Sequence, residues 1–184
     1  MLIEVTPEAH GVVIDLAYAT ADNFTGAPIY RRAACYLLPE ALAKLERARD
    51  LAAAQGLRLK ILDAFRPVEA QWALWSHTPD PEFVADPRRG VGHGRGAAVD
   101  LTLIDANGVE LDLGTGFDDF TPRAHHGDTA ISPAAQRHRA LLLGLMTAAG
   151  WEFYANEWWH YQLFQAHERF PLLSDSVLPI PMMR

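Results

Sequence analysis

Residues 90–105, Gly-Val-Gly-His-Gly-Arg-Gly-Ala-Ala-Val-Asp-Leu-Thr-Leu-Ile-Asp, constrain this chain more than any other stretch. The segment opens as a glycine loop around His93 and continues as an apolar strand carrying Asp100. Gly90, Gly92, Gly94 and Gly96 let the backbone reach positive φ and come close to a ligand. An ionised carboxylate inside an apolar run is expensive unless something pairs it. His93 and Asp100 are seven residues apart, and on a straight strand odd spacing sends side chains to opposite faces. A bend among the glycines brings both to one point. An imidazole and a carboxylate meeting there make two thirds of a catalytic zinc site, which takes three protein ligands and keeps one position open. The third ligand is sought in Glu157-Trp158-Trp159-His160-Tyr161, where His160 is flanked by aromatic residues.

Around this segment the chain alternates helices and strands. A β-branched run over 12–18 predicts a strand, and 19–30 reads as a loop. Apolar residues at helical spacing predict a helix over 39–55, with Gly56 as its C′ residue. Clean alternation predicts a strand over 57–65, and Pro67 suits the first turn of a helix over 68–76. Residues 78–92 read as a loop and 97–104 as a buried strand. Asn107-Gly108 signals a hairpin back through 109–113. Residues 114–131 are irregular, and a loop of that length is usually functional or mobile. Ser132-Pro133 starts a helix that ends at Gly150. Two short strands follow over 151–154 and 159–164, and the tail from 171 is extended. There is no βαβαβ rhythm, so the expected fold is α+β, a mainly antiparallel central sheet flanked by helices, in one domain over 1–184.

Composition narrows the function. A net charge of −7, with no basic stripe, argues against nucleic acid as partner. The lone Cys35 excludes an internal disulfide and fits a reducing compartment. No signal peptide and no run of about 18 apolar residues is present, so a cytoplasmic protein without membrane or obligate protein partner is expected.

Each chemical candidate has an ordinary reading beside it. A lone histidine is commonly a satisfied structural residue, and Asp100 resists that kind of reading only because of its apolar setting. Glu157 sits three residues before His160, so a turn is needed for it to lean over a metal's open position and act as general base. Otherwise it is a solvated turn residue. Arg66 is either a fixed guanidinium facing an oxyanion or a surface arginine paired with Asp63 or Glu69. From that stretch alone the second is favoured. His125-His126 could form a second metal pair, although side chains in a glycine-flanked loop more often face solvent or brace it.

His93-x6-Asp100 followed by Glu157-x-x-His160 resembles the zinc peptidases of the D-alanyl-D-alanine metallopeptidase, lysostaphin and hedgehog superfamily. Within it the chain is similar to the D-alanyl-D-alanine dipeptidases. The matching pieces run in order: Tyr18-Ala-Thr-Ala-Asp-Asn-Phe-Thr-Gly26, Asp63-Ala-Phe-Arg-Pro67, His93-Gly-Arg-Gly-Ala-Ala-Val-Asp-Leu-Thr102, Gly116-Phe-Asp118, His125-His126 and Glu157-Trp-Trp-His-Tyr161. The resemblance implies one Zn²⁺ per chain on His93, Asp100 and His160. It implies Glu157 as base and then acid, and Arg66 as stabiliser of the tetrahedral intermediate. Asp118, with Tyr18, would meet the free amino group of a dipeptide, and Trp158 and Phe65 would wall a pocket for alanine side chains. Family members usually carry serines just before the first zinc histidine, where this chain has Val91 and Gly92. That departure touches recognition of the substrate's carboxylate end. The expected activity is hydrolysis of D-Ala-D-Ala or a close D,D-dipeptide. The alternatives are a peptidase of the same fold acting on peptidoglycan stem peptides, and a non-catalytic zinc-binding interaction domain.

Overall fold

The computed structural model of the chain describes residues 1–81, 84–90 and 92–183. Its elements are β1 (Ile3–Val5), α1 (Pro7–His10), β2 (Val13–Ile14), β3 (Cys35–Leu37), α2 (Pro39–Ala53), β4 (Arg58–Asp63), α3 (Val68–His77), β5 (Ala98–Ile104), α4 (Pro133–Ala148), β6 (Glu152–Phe153), β7 (His160–Gln162) and α5 (Ala166–Arg169). The fold is α+β. Five strands form one sheet in the order β2-β4-β5-β7-β6, and β1 pairs with β3 in a separate two-stranded ribbon. The large sheet is mixed: β2 runs parallel to β4, whereas the β4–β5, β5–β7 and β6–β7 pairings are antiparallel.

The alternation of β5 divides the molecule. Val99, Leu101 and Leu103, with Leu59, Ile61 and Tyr161, share one buried cluster with Leu42, Leu45 and Ala48 of α2 and Leu142, Leu145 and Met146 of α4. The opposite face carries Asp100 opposite His160, Ala98 opposite Gln162, and Thr102 opposite Lys60. A second cluster containing Tyr18, Tyr30, Tyr36, Phe65, Leu74 and Met182 lies apart from that helix-side core. The register slips between Ile61 and Asp63, so Asp63, not Leu62, stands opposite Asp100. Strict alternation would have put Asp63 with Leu59 and Ile61 on the helix side; the bulge turns it toward the Asp100 face.

Sequence signals account for the main elements. Ser132 Oγ accepts the Ala135 N–H at 3.1 Å and Pro133 fills the first turn of α4. Gly56, two residues beyond the α2 cap, has φ +71°. The Asp105–Gly108 turn closes as expected, with Asp105 N–H donating to Val109 O at 2.8 Å. After it the chain makes only an isolated bridge, Ile104 to Glu110, in place of the expected return strand. The strand expected over 12–18 is also shorter. It stops at Ile14, and a 3₁₀ turn over Ala17–Ala19 buries Tyr18. The irregular 114–131 segment is pinned by the buried Arg139, whose guanidinium donates to the carbonyls of Leu113, Arg123 and His125 at 2.6–2.8 Å.

Candidate active site

The glycine loop bends as its sequence requires. His93 begins a 3₁₀ turn ending at Gly96, which has φ +67°. The turn is tied to the end of β4 from both sides: Arg66 N–H donates to His93 O at 3.1 Å, and His93 Nδ1 lies 2.7 Å from Ala64 O. A carbonyl only accepts, so Nδ1 carries the proton and Nε2 presents a lone pair. His160 Nε2 faces Gln162 Oε1 at 3.3 Å, which leaves a lone pair on its Nδ1 in the same way. These two lone pairs are 3.0 Å apart, and each is 3.1 Å from Asp100 Oδ1.

With both imidazoles neutral, three acceptors converge in a triangle with no hydrogen between them. Such an arrangement is repulsive until a cation enters. Ligand atoms about 2.0–2.2 Å from one tetrahedral ion lie about 3.3–3.6 Å apart, so a few tenths of an ångström separate this triangle from a metal site. Among the described residues, His93, Asp100 and His160 form the group of three whose ligand atoms converge, and all are buried. The donor set, the tautomers and the spacing fit a divalent ion. Burial alone would raise the Asp100 carboxyl; positive charge in the triangle, as a proton on His93 or His160 or as a bound cation, holds it well below the usual carboxylate range.

The triangle opens onto a cleft of about 380 Å³ lined by Tyr18, Arg66, Asp118, Glu157, Trp159 and Gln162 among others. Glu157 follows a turn and places Oε2 3.9 Å from His160 Nδ1, beside the ligand atoms without joining them. Burial raises its carboxyl above the ordinary range, although His160 pulls it down. Arg66 is 9% exposed, which rules out the surface arginine favoured from its local sequence. It does pair with Asp63, through Nε and Nη2 at 2.8 Å, and its Nη1 donates to Gln71 Oε1 at 3.0 Å. Its Nη2 is 3.6 Å from Asp100 Oδ2, and its carbon centre lies 4.9 Å above the Tyr18 ring. Tyr18 OH donates to Asp118 Oδ2 at 2.8 Å. Asp118 has φ +55°, a strained setting for a side chain and one that aspartate tolerates. Burial pushes its carboxyl up to about 8, against the Tyr18 hydrogen bond and the Arg66 charge.

Two expected pocket residues lie elsewhere. Trp158 lines a neighbouring cleft, its Nε1–H donating to Thr115 Oγ1 at 2.8 Å, and Trp159 takes the place in the metal-site cleft. Adjacent residues of a turn point in different directions, and the sequence does not say which tryptophan faces in. Phe65 is 1% exposed and packs with Tyr18, Tyr30 and Leu74 behind the site. His126 packs its ring against Phe153 and Tyr161 and bonds its backbone N–H to Ala155 O, so it braces the loop. Asp63 and Tyr30 were not expected at the site. Tyr30 OH donates to Asp63 Oδ1 at 2.8 Å, and the two fix the Arg66 fork from behind. The Asp63–Arg66 pairing that the local sequence offers is the signal that could have brought Asp63 to the site; no such signal marks Tyr30. Val91 lies outside the described residues.

The family profile described as D-ala-D-ala dipeptidase matches residues 2–178. The chain belongs to this family. Among curated relatives, the D-alanyl-D-alanine dipeptidase of Escherichia coli (strain K12) is 46% identical over 163 residues, covering 89% of this chain and 84% of that protein. The D-alanyl-D-alanine dipeptidase of Enterococcus faecium is 37% identical over 178 residues, 84% of this chain and 87% of its own. The Streptomyces coelicolor protein of that name is 36% identical over 177 residues, 83% of this chain and 86% of its own. The D-Ala-D-Ala dipeptidase match spans every residue of the triangle and its surroundings.

Proposed function

We propose that the chain is a zinc dipeptidase that hydrolyses D-Ala-D-Ala, or a close D,D-dipeptide, to free amino acids, its 184 residues acting as one peptidase domain. The observation that carries this reading is the meeting of three lone pairs, from His93, Asp100 and His160, in a cleft that also holds Glu157, Arg66 and Asp118. The names of the relatives support the substrate. Two imidazoles and one carboxylate suit zinc. A zinc ion held there would supply Lewis-acid chemistry, polarising the scissile carbonyl and lowering the pKa of water to about 7.

The chain's own residues supply the rest. Glu157 stands beside the ligand atoms and takes the proton of the attacking water, then returns it to the leaving amine. Arg66 presents a guanidinium already braced by Asp63 and Gln71, so no reorganisation is needed as negative charge develops on the carbonyl oxygen. Asp118, held by Tyr18, receives the ammonium group of the substrate. A cleft of 380 Å³ is near the lower end of small-molecule sites and suits a dipeptide; a stem peptide needs an extended groove.

A panel of D,D, L,D, D,L and L,L alanyl-alanine dipeptides, offered to the zinc-loaded protein, tests this reading. D-Ala-D-Ala is expected to have the highest kcat/KM, by at least about tenfold, the factor that about 1.4 kcal/mol of differential binding provides. A preference for L,L-dipeptides, or no hydrolysis of any member, overturns it.

A further inference from the structure

We propose that Gln162 receives the carboxylate end of the dipeptide. The inference rests on the dipeptidase reading and names the residue that fixes one end of the substrate. It begins with register. His160 stands opposite Asp100, and Gln162 stands opposite Ala98. Alternation along β7 puts the Gln162 side chain on the face that carries His160. Thr102 lies two residues from Asp100 in the other direction, and it lines the neighbouring cleft together with Trp158 and Asp118. Along β5 the order is therefore Asp118 at one end, the three lone pairs in the middle and Gln162 at the other end.

A substrate read along that line has one orientation. Two strand residues span about 6.8 Å, and an extended dipeptide spans about 7 Å from end to end. With its ammonium at Asp118 and its peptide carbonyl at the triangle, the carboxylate falls beside Gln162. Among the described residues, the acids that line the cleft, Asp100, Asp118 and Glu157, belong to the middle and the amino end of this line, so the carboxylate is directed away from them.

Gln162 also offers the right atoms. Its Oε1 is engaged by His160 Nε2 at 3.3 Å, which orients the amide. Its Nε2 has no hydrogen-bond partner among the described residues, and the side chain lines the cleft beside Gly90 and Gly92. A carboxylate is what a free amide NH₂ in such a place takes. A Cβ at position 92 would come within 2.8 Å of Ala98 Cβ and 3.1 Å of Gln162 Oε1. The closer of these, Ala98, keeps a side chain out of position 92 and leaves Gln162 as the polar side chain on that edge of the cleft.

The test compares wild type with Gln162→Glu and Gln162→Ala on D-Ala-D-Ala and on the same dipeptide with a C-terminal amide, with zinc content measured for each protein. Gln162→Glu keeps an oxygen for the His160 N–H and nearly the same volume, and it replaces the free donor by a negative charge. KM for the free acid should rise about 10–100-fold, KM for the amide should change less than about threefold, and zinc content should stay at one per chain. Gln162→Ala should show the same split, to a smaller degree. Equal losses on acid and amide, or a fall in kcat that follows loss of zinc, assign Gln162 to orienting His160 and overturn the proposal. Wild-type failure on D-Ala-D-Ala refutes the activity reading separately, since the acid-to-amide ratio is then read on whichever dipeptide of the panel is cleaved. Failure on every dipeptide refutes both.

Discussion

The triangle of lone pairs separates two kinds of residue that a sequence motif lists together. His160 supplies one of the three corners, whereas Glu157 lies 3.9 Å from His160 Nδ1 and supplies none. Glu157→Ala should therefore keep its zinc and fold and lose activity by roughly 10²–10⁴-fold or more, since one residue serves both proton transfers. His160→Ala should lose zinc and activity together. Metal analysis and turnover measured side by side decide this, and a Glu157→Ala protein that loses zinc as fully as His160→Ala would place Glu157 among the ligands. Asp118 makes a different prediction. Its carboxyl is pushed up to about 8 by burial, well above the usual value of about 3.9. The folded protein holds that proton more tightly than the unfolded chain. The group's contribution to stability is thus intact below about pH 4 and is lost as the pH rises through about 8. Asp118→Asn, which tolerates the left-handed backbone, should lose less thermal stability than wild type between about pH 5 and pH 8. It should also raise KM for the free dipeptide about 10–100-fold. Parallel stability curves for the two proteins would contradict the buried-carboxylate account. The metal set was legible because an aspartate in an apolar strand and a histidine among tryptophans both demand a partner. Asp63, Tyr30 and Gln162 were not, because their roles depend on register and on the Arg66 side chain, which no local pattern encodes.

Among the elements, the 3₁₀ turn His93–Arg95 does the most to assemble the site, and Gly96 is what closes it. Gly96 has φ +67°, and a Cβ there would meet Leu2 Cδ2 at 2.3 Å. Gly96→Ala should cost about 1–3 kcal/mol from strain and displaced packing and weaken zinc binding by moving His93. Gly56, also at positive φ (+71°), faces open space. Gly56→Ala should cost about 1 kcal/mol and leave zinc affinity unchanged. Equal effects on zinc affinity would show that the turn does not position His93. The long helices and β5 were legible from periodicity, caps and apolar runs. β1 and β3 were not, because Ile3–Val5 and Cys35–Leu37 are three residues long and their pairing links distant parts of the chain. The slip in β4 was hidden for another reason. Arg58–Ile61 alternates and Leu62 then breaks the pattern, but only the pairing with β5 shows that Asp63 has been turned toward the metal face.

At the scale of the whole molecule, one sheet face is spent on stability and the other on chemistry. The face under α2 and α4 holds the main apolar cluster, while Asp100, His160 and Gln162 occupy the other. This division explains how a strand buried along its whole length can hold a carboxylate. A cation on the polar face pairs Asp100 at the point where burial would otherwise expel it. Among the described residues no helix is long and apolar enough to cross a membrane. Zinc binding to the folded state alone should also stabilise the molecule, by about 2.7 kcal/mol at one hundred times the dissociation constant. The sheet order was beyond the sequence, since strands of two to seven residues carry little pairing information. The most direct test of the metal centre is to strip the protein with a chelator, return zinc in steps and follow D-alanine release from D-Ala-D-Ala. The account predicts negligible activity in the stripped protein, then a linear recovery that stops at one zinc per chain. Full activity in the stripped protein, or recovery that needs a second ion, would contradict it.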